Sequence, residues 1–478
     1  MGSEYHTSHI FFFPFLARGH VIPMVDMAKL FAAKGVKATI ITTPLSKPCI
    51  SKSIEKSKLS GHNIHIQTIK FPSSEAGLPD GCENMDSIPS PQFFTKFCMA
   101  TKLLQEPLEQ LLLEQHPDCL VSDTFFAWTT DSATKFGIPR LVFHGTCFFS
   151  LCAIECMRLY EPFKNVSSDS ETFVISNLPG EIKMTRLQMP PFEISKEFEG
   201  MSRLLQEAKK AELKSFGVVV NSFYELENVY ADYYRKVLGR KAWHIGPLSL
   251  CNKDIEEKAN RGREDSIDHH ECLKWLDMKK PNSVVYMCFG SMANFLNSQL
   301  KEIATGLEAS GNFFIWVVRR SKEDGEDWLS EGFEKRMEDK GLIIRGWSPQ
   351  TLILEHEAIG AFVTHCGWNS VLEGVAAGVP MVTWPVAAEQ FYNEKLVNEV
   401  LQIGVPVGVK KWVGLEGDSV QWDAVEKAVK RIMEGEEVEE MRKRVKVLSK
   451  LAKRSVEEEG SSYSDLNALI EEMGFLRH

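Results

Sequence analysis

The feature that most constrains the fold is an alternation of short apolar segments with helical ones along nearly the whole chain. The short segments are rich in β-branched residues and apolar on both faces, which is typical of parallel strands covered by helices on both sides. In the first half, the predicted strands are His9–Phe15, Lys37–Thr43, Ile64–Phe71, Cys119–Asp123, Arg140–His144 and Gly217–Phe223. In the second half, they are Ser283–Gly290, Asn312–Val318, Leu342–Gly346, Ala361–His365 and Met381–Pro385. This pattern predicts an α/β protein with two doubly wound, Rossmann-like parallel sheets.

A strongly charged stretch separates the two groups of strands. We interpret residues 251–268, rich in Lys, Glu, Arg and Asp, as a solvated linker between an N-terminal domain, 1–250, and a C-terminal domain, 269–455. The final helical pattern, Val438–Leu476, is interrupted at Glu458–Ser462 and therefore predicts two helices. Ligands of such sheets bind at the carboxyl ends of the strands, and here we also expect them in the cleft between the domains.

Charge and hydropathy exclude several classes of protein. The 478 residues include 55 basic and 65 acidic side chains, and the net charge of −10 argues against nucleic-acid or anionic-membrane binding. No apolar run approaches the roughly 18 residues of a membrane span, and Ile10–Leu16 lacks the basic flank and cleavage site of a signal peptide. Eleven cysteines without Cys-x-x-Cys pairs are typical of reduced thiols. We therefore expect a cytoplasmic protein without a nucleic-acid or membrane partner. We also expect a monomer.

Several cofactor and metal motifs are absent from the sequence. None of the 32 glycines stands two residues from another, so the Gly-x-Gly of dinucleotide-binding and kinase loops is missing, as is the Walker lysine loop. No two aspartates stand two apart, and no His-Glu-x-x-His or clustered Cys/His motif occurs. We therefore predict neither a cofactor nor a metal, so any phosphate must be bound by helix ends and side chains.

The most informative segment is residues 347–390, WSPQTLILEHEAIGAFVTHCGWNSVLEGVAAGVPMVTWPVAAEQ. His365 ends a predicted strand, and the following turn leads into a helix whose first N–H groups and partial positive charge favour phosphate. Three polar side chains at this turn, His365, Asn369 and Ser370, can donate further hydrogen bonds to the same oxygens. Glu373 lies one helical turn after Asn369, where its carboxylate can accept both hydroxyls of a ribose.

Side chains at the two ends of the same segment extend this site. Trp347 follows a predicted strand and offers a flat face on which a base can stack. Glu389 and Gln390 close a second strand-to-helix turn, where they can hydrogen-bond the hydroxyls of a sugar. Each of these residues alone is an ordinary core residue or helix cap, but their ordered combination predicts a nucleoside diphosphate sugar site.

A histidine and an aspartate near strand ends of the first sheet are the candidate catalytic pair. His20 follows the first predicted strand, and Asp123 ends another, so both lie on one rim of the sheet. A histidine can take the proton of a hydroxyl, and a carboxylate behind it fixes the tautomer and stabilises the imidazolium. The pair therefore predicts general-base activation of an acceptor hydroxyl. If the donor is a nucleoside diphosphate sugar, as the segment 347–390 predicts, one direct displacement at its anomeric carbon would invert the configuration. For each residue alone, a helix cap or core residue is the alternative.

With these residues identified, the chain resembles the plant family-one UDP-dependent glycosyltransferases of secondary metabolism. The resemblance is densest in residues 347–390 and extends over nearly the whole chain, including HIFFFPFLARGHVIP near the start and the turn Phe289–Ser291. It looks closest to the branch that glucosylates phenylpropanoids, coumarins and flavonoids. It implies the GT-B fold, with an acceptor-binding N-terminal domain, a UDP-sugar-binding C-terminal domain and a last helix, about 456–478, that packs back on the N-terminal domain. It also implies transfer of glucose from UDP-glucose to a small phenolic acceptor, giving a β-O-glucoside.

The resemblance also implies roles for individual residues of this chain. It assigns the base to His20 and the carboxylate behind it to Asp123. The implied donor residues are Trp347, Ser348, Gln350 and Glu373 for uridine, Ser291, His365, Asn369 and Ser370 for the diphosphate, and Trp368, Glu389 and Gln390 for the sugar. Two further predictions concern residues after rim strands: Thr146 should reach the sugar or the phosphates, and an apolar acceptor pocket should be walled by Phe15, Phe125, Phe148 and Phe149, with core packing as the alternative.

Some positions depart from the family pattern or refine it. Ser348 replaces the commoner alanine, and Glu389 replaces the aspartate of many members, which keeps the chemistry but lengthens the side chain. Gln390 as the last residue of the segment is associated with glucose rather than galactose. Arg18 stands where the family has a smaller or neutral residue, and we expect an outward salt bridge, with contact to an acidic acceptor as the alternative.

Two other functions remain open at this stage. A UDP-sugar epimerase could use a similar pair of domains, but it would need additional acids at the sugar and no acceptor. A non-catalytic UDP-sugar-binding sensor would not need His20 backed by Asp123.

Overall fold

Two parallel β-sheets form the frame of the molecule. The computed structural model describes residues 7–88, 93–194, 199–262, 267–319, 329 and 332–475. The strands of the first sheet are β1 (His9–Phe13), β2 (Lys37–Thr42), β3 (Ile64–Thr68), β4 (Cys119–Asp123), β5 (Arg140–Phe143), β8 (Gly217–Val220) and β9 (Ala242–His244). They are parallel and lie in the order β3-β2-β1-β4-β5-β8-β9.

The second sheet has the same design. Its strands are β10 (Val284–Cys288), β11 (Phe313–Val318), β12 (Gly341–Arg345), β13 (Ile359–Thr364), β14 (Met381–Thr383) and β15 (Gly404–Pro406). They are parallel in the order β12-β11-β10-β13-β14-β15. Both sheets reverse their strand order in the middle, so the predicted pair of doubly wound sheets is present.

Three short pairings were not predicted from the sequence. A small antiparallel hairpin joins β6 (Thr172–Val174) to β7 (Lys183–Thr185), and the edge strands β9 and β15 each have three residues. Segments this short carry too few residues to show a period, so their pairing is decided by the neighbouring strand.

Helices cover both faces of the sheets. In the N-terminal half and the connecting segment they are α1 (Arg18–Ala33), α2 (Lys47–Leu59), α3 (Phe94–Ala100), α4 (Gln105–Gln115), α5 (Thr129–Lys135), α6 (Phe148–Tyr160), α7 (Pro191–Ile194), α8 (Glu199–Lys214), α9 (Tyr224–Asp232) and α10 (Ile255–Ala259). In the C-terminal half they are α11 (His269–Asp277), α12 (Asn297–Ser310), α13 (Phe333–Arg336), α14 (Gln350–Glu355), α15 (Trp368–Ala377), α16 (Gln390–Lys395), α17 (Trp422–Glu434), α18 (Val438–Ser455) and α19 (Ser461–Phe475). Among the described residues, none of these helices combines the length and apolarity needed to cross a membrane.

The last helix lies on the N-terminal domain. Leu466, Leu469 and Met473 of α19 share a buried cluster with the first strand and the first helix of that domain. Asp465 of the same helix accepts a hydrogen bond from the backbone N–H of His244 at 2.8 Å. The chain therefore crosses back from the second sheet to the first. Residues 476–478 of the predicted helix lie outside the described part.

The connecting segment is not uniformly solvated, which corrects the sequence interpretation. Asp254 caps α10, and Asn252 before it is 3% exposed. The side chain of Arg261 is 10% exposed. Burial is possible because these polar groups have partners: the Nζ of Lys29 donates to the Oδ1 of Asn252 at 2.6 Å, and Arg261 pairs with carboxylates. The predicted linker residues 263–266 lie outside the described part.

Candidate active site in the cleft between the two sheets

His20, Ser291 and His365 follow strands at which the order of each sheet reverses, and Asp123 ends such a strand. In the first sheet β1 lies beside β4, and in the second β10 lies beside β13, with Cys288 opposite Thr364. The residues that follow these strands therefore leave each sheet side by side at its carboxyl edge. The two edges touch, because the Nδ2 of Asn369 donates to the backbone oxygen of Gly19 at 2.7 Å.

His20 and Asp123 form a hydrogen-bonded pair on the N-terminal rim. The Nδ1 of His20 lies 2.6 Å from the Oδ2 of Asp123. The Asp123 side chain is fully buried, whereas that of His20 is 21% exposed. Because a carboxylate only accepts, the proton of the neutral ring is on Nδ1, and Nε2 remains the acceptor. This is the arrangement of a general base with an orienting carboxylate.

Asp123 is itself held in place from two sides. Its Oδ1 accepts the backbone N–H of Phe125 at 3.1 Å. Its backbone oxygen accepts from the buried guanidinium of Arg140 at 2.8 Å. The carboxylate that orients His20 therefore has little freedom to turn away from the imidazole.

The electrostatic environment makes His20 a stronger base than an ordinary histidine. Burial by itself lowers the pKa of His20, but the Asp123 carboxylate outweighs it, with a further contribution from Glu389 of the other domain. The pKa of the imidazole is therefore raised above its ordinary value of 6.5.

On the C-terminal rim, the His365 ring is enclosed by two glycines. A Cβ on Gly290 would lie 2.6 Å from the ring, and one on Gly367 would lie 2.4 Å from Nε2. Gly290 has a φ of +69°, and Cys366 adopts a left-handed φ of +63°. Ser291 continues the turn that begins at Gly290. The turns after β10 and β13 are therefore built closely around the imidazole.

The surroundings of His365 shift its pKa in the opposite direction from that of His20. Burial lowers the pKa of His365 to about 4, so the ring is neutral at physiological pH. Its Nδ1 is buried and has no hydrogen-bond partner in the described part of the chain. A buried polar nitrogen without a partner is costly, so this ring suits a ligand atom that completes the hydrogen bond.

The start of α15 lies beside this ring. Among the described residues, no side chain caps the helix after Gly367. Asn369 and Ser370 are its second and third residues, and Ser370 is 6% exposed. The first backbone N–H groups of α15 therefore have no capping side chain among these residues, which suits a phosphate.

Glu373, the predicted ribose-binding residue, lies beside two other predicted donor residues, Gln350 and Ser370. The Nε2 of Gln350 donates to the Oε2 of Glu373 at 2.7 Å and to the Oγ of Ser370 at 3.1 Å. The other carboxylate oxygen accepts from the Nη1 of Arg261. The side chain is 6% exposed, so both of its oxygens are used within the protein itself.

Trp347 and Ser348 also have partners. The guanidinium carbon of Arg18 lies 5.5 Å from the ring centroid of Trp347. The Oγ of buried Ser348 lies 2.9 Å from the hydroxyl of Tyr286, which donates to Gln350 at 3.3 Å. The serine found in place of alanine therefore adds a hydrogen bond inside the C-terminal domain. Arg18 does form a salt bridge, with Asp86, but its guanidinium lies over Trp347 and not outward as expected.

Glu389 and Gln390 lie at the start of α16. The Oε1 of Glu389 accepts from the Nδ2 of Asn393 at 3.2 Å. Burial raises the pKa of Glu389, and the nearby His20 opposes this effect. The Oε1 of Gln390 accepts the backbone N–H groups of Val386 and Ala387, both at 2.8 Å. The amide Nε2 of Gln390 is therefore the end that can donate to a sugar hydroxyl.

The two other predicted sugar contacts have different surroundings. The indole of Trp368 is 2% exposed, and its Nε1 donates to the backbone oxygen of Asn221 at 2.6 Å. Its ring therefore joins the two domains, and the backbone of Trp368 is the part that can touch a sugar. Thr146 is 7% exposed, and its Oγ1 is buried without a partner among the described residues.

The four predicted acceptor-pocket aromatics separate into two pairs. Phe15 and Phe125 flank the predicted base, with ring centroids 5.6 and 5.8 Å from His20. Phe148 and Phe149 are fully buried, and their rings lie 5.3 and 4.8 Å from buried tyrosine rings. Core packing, the alternative left open by the sequence, describes this second pair.

Three polar residues of the cleft were not predicted from the sequence. Asn393 donates to the backbone oxygen of Cys366 at 2.8 Å as well as to Glu389, so it ties two loops together. Its position one helical turn after Glu389 could have identified it. Asn221 and Arg261 reach the cleft from distant parts of the chain, and no local pattern points to them.

Known proteins resemble this chain over nearly its whole length. The family model described as UDP-glucoronosyl and UDP-glucosyl transferase matches residues 264–454. The chain is 60% identical over 465 residues to a scopoletin glucosyltransferase of Nicotiana tabacum, covering 97% of this chain and 98% of that protein. It is 58% identical over 477 residues to UDP-glucose flavonoid 3-O-glucosyltransferase 7 of Fragaria ananassa, covering 98% and 96%.

Solved structures have the same fold. The crystal structure of Glycyrrhiza uralensis UGT73P12 with glycyrrhetinic acid 3-O-monoglucuronide matches with a TM-score of 0.92 at 43% identity, covering 99% of this chain and 96% of that one. Medicago truncatula UGT71G1 with UDP-glucose matches with a TM-score of 0.79 at 26% identity, covering 98% of both chains. The predicted GT-B fold is confirmed. The chain belongs to the plant family-one UDP-dependent glycosyltransferases of secondary metabolism and is an enzyme of the UDP-glucosyltransferase class.

Proposed function

We propose that this enzyme transfers glucose from UDP-glucose to a hydroxyl of a small phenolic acceptor, a coumarin, a flavonoid or a related compound, and produces a β-O-glucoside. The observation that carries the proposal is the His20–Asp123 pair at 2.6 Å, in a cleft whose other rim carries the uncapped start of α15. Two relatives support a phenolic acceptor, because their names describe glucosyltransferases of scopoletin and of flavonoids.

The base in this mechanism is the Nε2 of His20. It removes the proton of the acceptor hydroxyl while the oxygen attacks the anomeric carbon and the bond from that carbon to the diphosphate oxygen breaks. The proton remains on the imidazole, and the negative charge of Asp123 stabilises the imidazolium. One displacement from the face opposite the leaving group inverts the anomeric configuration, so an α-linked donor gives a β-glucoside.

The departing diphosphate is stabilised without a metal in this proposal. The backbone N–H groups at the start of α15, the neutral imidazole of His365 and the side chains of Ser291, Asn369 and Ser370 surround the place where its charge develops. No cofactor takes part, because the bond broken and the bond formed exchange one oxygen for another at the same carbon.

The sugar and the acceptor occupy the space between the rims. We assign the glucose hydroxyls to Glu389, the Nε2 of Gln390 and the Oγ1 of Thr146, which lacks a partner in the described part of the chain. The planar acceptor lies against Phe15 and Phe125, whose rings flank His20.

The test is incubation with UDP-glucose and a panel of phenols that includes coumarins and flavonols. We expect products heavier by one hexosyl unit, with β configuration by NMR coupling. Conversion of UDP-glucose to another UDP-sugar without an acceptor would identify an epimerase. Binding of UDP-glucose without turnover on any acceptor would identify a sensor, and either result would overturn the proposal.

A further inference from the structure

An arginine of the connecting segment is hydrogen-bonded to Glu373, the residue predicted to bind the ribose. The Nη1 of Arg261 donates to the Oε1 of Glu373 in the C-terminal domain. The Nε of the same guanidinium donates to the Oδ2 of Asp26 in the N-terminal domain at 2.7 Å. The Arg261 side chain is 10% exposed, and both carboxylates are more deeply buried. The guanidinium therefore bridges the two domains at the nucleoside end of the donor site.

The predicted uracil platform is covered as well. Arg18 lies over the ring of Trp347, with its guanidinium carbon 5.5 Å from the ring centroid. Gly262 packs against the edge of the same ring so closely that a Cβ there would lie 2.7 Å from Trp347 Cζ2. The Nη1 of Arg18 donates to the backbone oxygen of Gly262 at 3.3 Å, which joins the two covering groups. We call Arg18, Arg261 and Gly262 the arginine plug.

The plug is anchored on the N-terminal domain. Arg261 is held by Asp26, and Arg18 pairs with Asp86. Next to the plug, Ser53 of α2 donates its hydroxyl to the backbone oxygen of Asn260 at 2.9 Å. The C-terminal contacts described above are with the uridine-site residues themselves. Separation of the two domains would therefore withdraw the plug together with the N-terminal domain.

The plug and a nucleoside need the same groups. Both oxygens of Glu373 are already engaged, one by Arg261 and one by Gln350. Burial alone lowers the pKa of Arg261, but Asp26 and Glu373 raise it above its ordinary value, so the guanidinium stays charged. Ribose hydroxyls would compete with this cation for the Oε1 of Glu373, and a base can stack on the covered face of Trp347 only in place of Arg18.

We propose that the arginine plug is an internal competitor for the nucleoside half of the donor, so that UDP binds after the plug has left Glu373 and Trp347. This inference rests on the uridine site of the proposed function. If the plug occupies the site in most molecules, only the small open fraction can bind UDP. The apparent affinity for UDP is then the intrinsic affinity multiplied by that fraction. The plug thereby couples entry of the donor to opening of the cleft between the domains.

The first test is calorimetric titration with UDP of the wild-type protein, Arg261→Met and a matched control, Lys258→Met. Lys258 lies in the same segment and pairs with Glu355 at 2.5 Å, so its replacement also removes one cation and one contact with the C-terminal domain. We expect Arg261→Met to bind UDP about threefold to thirtyfold more tightly, and the control to stay within about twofold of the wild type.

Other outcomes of this titration are decisive. Unchanged or weaker binding by Arg261→Met, in a wild type that binds UDP, would overturn the plug and leave the proposed function standing. Equal tightening in Lys258→Met would overturn the assignment to Arg261. A wild type that does not bind UDP would overturn both the plug and the proposed donor.

The second test uses the wild-type protein and does not depend on the folding of a variant. Limited trypsin digestion with and without saturating UDP, followed by mass spectrometry, measures cleavage of the Arg261–Gly262 bond. If UDP displaces the plug, this bond should be cut several times faster in its presence, because the buried arginine becomes accessible. Slower or unchanged cleavage would show that Arg261 stays in the site beside the nucleotide, and would overturn the proposal.

Discussion

The two rims that meet in the cleft are prepared in different ways. On the N-terminal rim, His20 already has its partner, because Asp123 lies 2.6 Å away and raises the pKa of the imidazole. On the C-terminal rim, burial lowers the pKa of His365 to about 4, and its Nδ1 has no partner among the described residues. The difference follows from the chemistry proposed for each side. On the N-terminal rim, Asp123 must stabilise the positive charge that His20 acquires when it takes the proton. On the C-terminal rim, the negative charge belongs to the diphosphate, so the histidine that binds it can be neutral.

The largest effect is expected for a substitution of His20 on the N-terminal rim. His20→Ala removes the base and should lower turnover by about 10²–10⁴-fold, the usual contribution of a general base. UDP affinity should barely change, because the residue lies on the other domain from the donor groups. Turnover on one phenol and UDP titration measure the two quantities, with His65→Ala on the exposed side of β3 as the control. Near wild-type turnover in His20→Ala would remove the base from the mechanism.

The next largest effect is expected for Asp123→Asn, which keeps His20 in place but changes its pKa. Asp123→Asn should lower turnover by about 10²-fold, because the amide no longer fixes the tautomer or stabilises the imidazolium. In the wild type, activity should rise with pH through the raised pKa of His20, since the ring acts as a base only when it is unprotonated. Without the carboxylate, burial lowers that pKa, so the rise should move to lower pH. A pH–rate profile of both proteins measures this, and a profile that does not move would exclude Asp123 as the cause of the raised pKa.

Glu373→Ala tests the other rim through binding alone. Loss of the predicted ribose acceptor should weaken UDP by about 1.5–3 kcal/mol, the range for hydrogen bonds to charged groups, or roughly 10- to 100-fold. Calorimetric titration with UDP measures the change, and Glu434→Ala on the exposed end of α17 is a matched control. An unaltered affinity would reduce Glu373 to the partner of Arg261 and Gln350.

A smaller effect concerns the choice of sugar. We expect catalytic efficiency to fall from UDP-glucose to UDP-galactose by roughly 10- to 100-fold, because one mispaired hydroxyl costs about 1–3 kcal/mol. UDP-glucuronate should be poorer still, since its carboxylate would lie near Glu389. Gln390→His should narrow the difference in efficiency between UDP-glucose and UDP-galactose. It should also destabilise the loop before α16, because Gln390 accepts hydrogen bonds from the N–H groups of Val386 and Ala387. Comparing the three donors with one phenol measures this order, and UDP-glucuronate as the best donor would contradict the sugar roles.

The smallest expected effect is that of chelation, which should be none. If helix α15 and neutral side chains alone stabilise the diphosphate, excess EDTA should leave the turnover unchanged. The measurement compares rates before and after dialysis against the chelator. Loss of activity that Mg²⁺ or Mn²⁺ restores would contradict the proposal that the diphosphate is stabilised without a metal.

Much of this protein is determined by local patterns of its sequence. Two-sided apolar runs identified the central strands of both sheets, because a buried parallel strand must be apolar on both faces. The turn from His365 into α15 was identified because a strand end, a helix start and their polar residues are consecutive in the chain. His20 and Asp123 were placed on one rim because parallel strands present their carboxyl ends together.

The tertiary structure decided how these groups are occupied. The sequence shows Arg261 in a charged stretch typical of a solvated linker, but in the structure it lies buried between Asp26 and Glu373. The family resemblance implies that Trp368 contacts the sugar, but its indole donates to the backbone oxygen of Asn221 in the other domain. Pairings of this kind join residues more than 100 positions apart, so no periodicity or spacing records them. They depend on how the two sheets face each other, and a buried charge or N–H group takes whichever partner that arrangement brings within hydrogen-bond distance.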